Sequence, residues 1–422
     1  MRWLASDALC DSQVVVLTRA HGSRAGVRHM TRGLKVYYAP RVAVFGGTTL
    51  PGVAGLAPLL RCIVLRERIS LVHGHTAFSA LANEALLHAR TLGCSAVFTD
   101  HSLFGFADAP SILTNKTLQF TLADTTAVIC VSHTSKQNTV LRATVSPQRV
   151  SVVPNAVDAV RFTPDVAMRS RRITIVCMSR LVYRKGVDLL AAVVPLVCAA
   201  CPEVDFLVGG DGPKRDVLLH MLAQHPQLLS GRVTLLGDVA HEDVRAVLRR
   251  GHIFLSASLT ESFGIAVLEA ACCGMLVVAT AVGGVPEVLP PSIMRLAPAE
   301  ADALADACIS AASECARAPP GAAWAQHEAV KGMYSWIDVA ERVEAVYDKA
   351  ALAASQSTPL GRLRRYARTG PFSGLLFAAV AAANALLMCA LAVLQPAEEM
   401  DIAPDLDWRQ AQRLIQSCAS SY

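Results

Sequence analysis

Short runs of β-branched and aliphatic residues, each followed by a longer amphipathic stretch, recur along this chain and restrict it to an α/β architecture. Gln13–Thr18, Leu71–His73, Ser95–Thr99, Ala127–Val131 and Val150–Val153 have the length and composition of buried strands. Segments such as Ser79–Arg90 between them have helical periodicity. Parallel neighbours need crossovers of this length, so the first half is expected to form a doubly wound parallel sheet. The pattern restarts at Ile173–Cys177 and runs through Asp205–Val208, Val233–Leu236, Ile253–Leu255 and Leu276–Ala279, which predicts a second sheet of the same kind. A break at Pro154–Pro164 separates the two, giving a domain over residues 1–155 and another over 156–350. Two Rossmann-like domains facing each other across a cleft would hold a ligand at the carboxyl ends of their strands.

A second feature fixes the cellular setting. Phe372–Leu394 is uncharged throughout, and at about 1.5 Å per helical residue it is long enough to cross a ~30 Å hydrocarbon layer. Arg362, Arg364, Arg365 and Arg368 precede it in a basic linker over 351–371, whereas Glu398, Glu399 and Asp401 follow it in a tail over 395–422. By the positive-inside rule the large N-terminal part is cytosolic and the tail lumenal or external. MRWLASDALCD carries Asp7 and Asp11 before any apolar stretch forms, so it does not have the pattern of a signal peptide. The thirteen cysteines lack zinc-site spacing and are expected to be reduced, mostly buried thiols. Thirty-nine Lys and Arg against 34 Asp and Glu leave only +5, with no basic run interleaved with aromatics, which argues against a nucleic-acid partner.

The chemistry signals concentrate in the second half, at the ends of its strands. Arg180 and Lys185 lie in SRLVYRKG, between the strand ITIVC and a helix over 187–200, where fixed cations can meet a diphosphate. Gly210 and Gly212 in GGDGP mark a turn where backbone approaches a ligand closely. Glu261 lies in a glycine-containing loop and Glu269 on the helix that this loop opens, so both carboxylates can point into one site. Gly283 and Gly284 in VGGVPEV form another turn whose N–H groups can cradle phosphate. A dehydrogenase on the same architecture is the remaining rival and is strongly disfavoured, because no strand is followed by G-x-G-x-x-G with an acidic residue about twenty positions on.

SRLVYRKG, GGDGP, TESFGIAVLEA and VGGVPEV, in this order, resemble the donor half of retaining glycosyltransferases with two Rossmann-like domains, the GT-B fold, whose hallmark is E-x7-E. In the first half GLKVYY, RERISLVHGHTAFSALANEAL, VFTDHSLFGFAD, ICVSHTSKQNTVLRA and SVVPNAVD narrow the resemblance to the catalytic-subunit family of phosphatidylinositol N-acetylglucosaminyltransferases. The likeness covers roughly residues 13–395. It implies transfer of N-acetylglucosamine from UDP-GlcNAc to phosphatidylinositol at the cytosolic face of the endoplasmic reticulum, the first step of glycosylphosphatidylinositol anchor synthesis, within a multisubunit complex. It further implies that Glu261 contacts the transferred sugar, Glu269 the uridine ribose, and Gly283 and Gly284 the donor phosphates. His101 is then the catalytic histidine beside the acceptor, with His75, Asp100 and Ser102 near it and His73 behind them. No metal cofactor is expected, since Arg180, Lys185 and the glycine-loop amides can neutralise the departing diphosphate.

The chain departs from that family at its start. Members open with a strand, a Gly-Gly loop and a helix, whereas only Trp3–Cys10, resembling the end of that helix, precedes QVVVLT here. Roughly 30–50 further residues upstream, about one βα unit, are therefore expected. A non-catalytic, membrane-anchored scaffold is the alternative reading.

Overall fold

A computed structural model of the chain describes residues 13–30, 33–40, 43–45, 48–49, 53–105, 109–355 and 357–403. The chain divides into two compact units. The first is built from residues up to Cys130, from Lys136–Val152 and from Ala340 onward; the second comprises Val131–Ser135 and Val153–Val339. The expected helix end at Trp3–Cys10 lies outside the described residues, as does most of the tail.

The second unit contains a six-stranded, all-parallel sheet. Its strands run in the spatial order Val233–Gly237, Val204–Gly209, Ile173–Met178, Ile253–Ser256, Leu276–Thr280, Met294–Ala297. From Ile173–Met178 the chain first winds toward one edge and then, from Ile253–Ser256, toward the other. The reversal between these two adjacent strands is a topological switch point, where an open parallel sheet leaves a crevice beyond its carboxyl ends. Alternation decides the packing: Ile175, Cys177, Phe206 and Val208 enter one apolar core, while Val176 and Leu207 enter the core on the opposite face. Burial on both faces explains why these strands read as unbroken hydrophobic runs.

The first unit differs from the single sheet expected of it. Leu71–His75, Ser95–Asp100, Ala127–Cys130 and Val150–Val152 form a parallel sheet in sequential order. Val15–Arg19 belongs instead to a separate three-stranded sheet, parallel to Lys35–Ala39, which also pairs antiparallel with Gly26–His29. Within this sheet KVYYA alternates, Val36 and Tyr38 buried on one face and Lys35 and Tyr37 reaching Glu67 on the other.

The basic segment expected as a linker is structured. Thr358 caps a helix over Pro359–Ala367, its hydroxyl accepting from the Gly361 N–H. Arg362 and Arg365 on this helix pair with Asp124, which is buried, and Tyr366 is buried beside them. Arg364 and Arg368 remain exposed. The uncharged run then forms one helix, Ser373–Leu394, long and apolar enough to cross a membrane. One of its faces packs on the first unit through Gly374, Ala381, Asn384 and Met388. Asn384 accepts at Oδ1 from His88 Nδ1 at 2.7 Å and donates from Nδ2 to Thr91 Oγ1 at 2.7 Å. Beyond the helix, the Ala403 N–H donates to the Arg66 carbonyl at 2.9 Å. Most of the described cysteines are buried, in keeping with the thiol reading of the sequence.

Candidate active site

In the second unit, loops from four adjacent strands meet at the carboxyl edge of the sheet. The loop after Ile173–Met178 carries Arg180 and Lys185; the loop after Ile253–Ser256 carries Glu261. These are the two strands that flank the switch point. Lys185 Nζ forms an ion pair with Glu261 Oε2, and both side chains are largely withdrawn from solvent. The backbone ties the same loops together, Leu259 N–H donating to the Arg184 carbonyl at 2.9 Å.

The glycines expected to approach a ligand are first of all required by the loops themselves. Gly210 has φ +128°, and a Cβ there would lie 1.9 Å from the Ser179 carbonyl oxygen, so no other residue fits. It brings the GGDGP turn against the Arg180 loop, where Leu181 N–H also donates to the Asp211 carbonyl. Gly212 is similarly crowded against Leu181. Gly284 donates its N–H to the Glu261 carbonyl at 2.9 Å, and a Cβ on it would meet Ser262 O at 2.2 Å and Ser132 Oγ at 2.6 Å. The Gly283–Gly284 turn thereby fixes the backbone that presents Glu261. Glu287, which the sequence reading did not single out, accepts from the N–H groups of His133 and Thr134 and from the Thr134 hydroxyl within 2.6–2.8 Å.

Glu269 lies on the helix Ile265–Cys272, which Gly264 opens in a left-handed conformation. Burial pushes its carboxyl up to about 7, and the nearby Arg161 only partly offsets that. A carboxylate held at this cost, without a full ionic partner, is suited to accept hydrogen bonds from ligand hydroxyls.

The first unit brings a different set together. His75 ends the strand Leu71–His75 and His101 directly follows the neighbouring strand Ser95–Asp100. His75 Nδ1 and His101 Nε2 are 3.1 Å apart. Asp100 is turned inward: its carboxylate accepts from Thr139 Oγ1 and the Ser102 N–H and faces Arg142 at 3.4 Å, with both ionic partners fully buried. Its carboxyl is pushed up by burial, against the pull of Arg142. Asp100 and Ser102 thus brace the loop that carries His101. Tyr347 was not foreseen, and no local signal points to it, because it reaches His73 from 274 residues away.

Four loops on a switch-point sheet, holding a cation–carboxylate pair and glycine turns, define a GT-B glycosyltransferase. The chain matches the family of glycosyl transferases group 1 over residues 172–314 and the family described as PIGA (GPI anchor biosynthesis) over residues 19–108. Sucrose-phosphate synthase from Thermosynechococcus elongatus shares the fold, with a TM-score of 0.64 at 21% identity over 81% of this chain and 90% of that one. Anabaena HepE, solved with UDP and glucose, gives 0.59 at 19% identity over 75% and 87%. Similarity in sequence is much closer to a phosphatidylinositol N-acetylglucosaminyltransferase subunit of Arabidopsis thaliana, 52% identical over 395 residues (93% of this chain, 87% of that one). Its counterpart from Homo sapiens is 46% identical over 393 residues (93% and 81%). The chain belongs to this family of phosphatidylinositol N-acetylglucosaminyltransferase subunits.

Proposed function

We propose that this chain transfers N-acetylglucosamine from UDP-GlcNAc to phosphatidylinositol with retention of anomeric configuration, as the first step of glycosylphosphatidylinositol anchor synthesis. The observation that carries this reading is the Lys185–Glu261 pair at the switch point, buttressed by the Gly210 and Gly284 turns. As the glycosidic bond to UDP breaks, negative charge grows on the diphosphate. Lys185 and Arg180 stabilise that charge, assisted by N–H groups of the glycine turns, in a site preorganised before the reaction begins. Glu261 turns from Lys185 to the hydroxyls of the transferred sugar, and Glu269 accepts from the uridine ribose. With side-chain cations at the leaving group, the reaction needs no metal. Gly283 and Gly284 serve the donor phosphates, and His101 with His75 serves the acceptor side.

The relatives are named as subunits, and this chain is proposed to act in a multisubunit complex as they do. The helix Ser373–Leu394 is its anchor in the endoplasmic reticulum membrane, with the basic flank and the catalytic units cytosolic. Microsomes carrying the full chain, supplied with radiolabelled UDP-GlcNAc, should produce labelled GlcNAc-phosphatidylinositol. Binding of the nucleotide sugar without transfer would refute catalysis in favour of a scaffold. Protease added to the sealed microsomes should remove the two units and spare the tail beyond Gln395; protection of the units would overturn the orientation.

A further inference from the structure

Three imidazoles gather at the carboxyl ends of two adjacent parallel strands in the first unit. His73 and His75, two residues apart on one strand, point to the same side. Their rings stack with centroids 4.3 Å apart, and His75 lies nearly parallel to His101 at 5.4 Å. His73 is held at both nitrogens, by Tyr347 Oη at 2.8 Å on Nδ1 and by Thr99 Oγ1 at 2.7 Å on Nε2. A ring fixed at both nitrogens cannot turn, so it forms a rigid wall against which His75 lies. His75 in turn meets His101 through the 3.1 Å nitrogen–nitrogen contact.

Burial lowers the proton affinity of all three rings, that of His75 to about 4, and each imidazolium would further disfavour its neighbour. Near neutral pH the rings are therefore uncharged, and a contact between two neutral imidazoles holds one proton. If His75 Nδ1 donates, His101 Nε2 is the acceptor and its Nδ1 carries hydrogen; if His101 donates, the reverse holds. The two tautomers are thus coupled.

We propose that His75 is a positioning residue that fixes the ring orientation and tautomer of His101 for its work on a hydroxyl of a polyol substrate. This role rests on the glycosyl-transfer reading above. The Tyr347–His73–Thr99 clamp extends the arrangement into the helix Trp336–Ser355, which makes the orientation of His101 a property of the packed unit and not of its loop alone.

The test compares the full chain with His75→Leu and His75→Asn in microsomes, reading kcat and KM for UDP-GlcNAc. An asparagine amide sits near the Nδ1 position and can donate or accept, whereas leucine can do neither. His75→Leu should lower kcat roughly ten- to hundredfold, as loss of a buried hydrogen bond implies, with KM within about twofold. His75→Asn should recover most of the lost kcat. Should the leucine variant fail to accumulate, His75→Gln replaces it; its amide lies one bond beyond the Nδ1 position and is expected to fall by a similar factor. Equal losses in the asparagine variant and its comparator, or a change in KM alone, would overturn the proposal. A wild-type chain that transfers no GlcNAc would instead remove the function, and this role with it.

Discussion

Replacing Glu269 by glutamine should make the protein more stable and less able to bind its donor. The carboxyl stands at about 7 in the folded chain against 4.5 for the free group, chiefly because burial penalises the charged form. The folded state therefore retains a proton that the unfolded state releases between pH 4.5 and about 7. Stability is lost as pH rises through that window, and the loss is complete above it. The difference of about 2.5 pH units, at about 1.36 kcal/mol each, amounts to roughly 3 kcal/mol. Glutamine keeps the shape and cannot ionise, so Glu269→Gln should match wild type below about pH 4.5 and exceed it by up to about 3 kcal/mol at about pH 8. Thermal unfolding of the full chain in detergent at both pH values reads this directly; for a unit of this size the midpoint should rise by roughly 6–12 °C at the higher pH. Donor binding should fall about tenfold in the same variant, since a hydroxyl donates more strongly to a carboxylate than to an amide. A gap between the two proteins that is independent of pH, or that shrinks as pH rises, would refute the burial argument.

Two further outcomes are expected. Lys185→Ala should lower turnover by roughly 10²-fold, because the ammonium acts on charge that grows in the transition state; near-normal single-turnover rates would count against Lys185 at the diphosphate. Asn384→Leu removes the hydrogen bonds from the apolar helix to His88 and Thr91 and should destabilise the first unit by about 1–3 kcal/mol, read as a lower urea midpoint in detergent.

The second unit was legible in the sequence because its signals are local. A parallel strand buried on both faces must be continuously apolar, and a loop whose backbone leaves no room for a Cβ must contain glycine, as at Gly210 and Gly284. These constraints appear in the letters of ITIVC, GGDGP and VGGVPEV and place Arg180, Lys185, Glu261 and Glu269 around one edge. The first unit was less legible because its organisation depends on distant partners. Nothing near Gln13–Thr18 says that it pairs with Lys35–Ala39 and stands apart from the neighbouring sheet. Asp100 was expected beside His101, but nothing near it in sequence announces that Arg142 and Thr139 take up its carboxylate. The arginines before the apolar helix are alike in sequence, yet Asp124 takes Arg362 and Arg365 inward and leaves Arg364 and Arg368 outside.

That division of arginines bears on how the protein searches a lipid surface. A domain on a supple tether samples a volume that grows with the length of slack chain, and its effective concentration at any one headgroup falls accordingly. Among the described residues there is little slack here: ion pairs from Arg362 and Arg365 to Asp124 hold the approach to the helix. The tilt of the first unit is thereby set together with that of the helix. With the anchoring proposed above, its encounters with headgroups become a matter of lateral diffusion in two dimensions, and lengthening the segment 368–372, between the docked basic helix and the apolar one, should cost the protein that advantage.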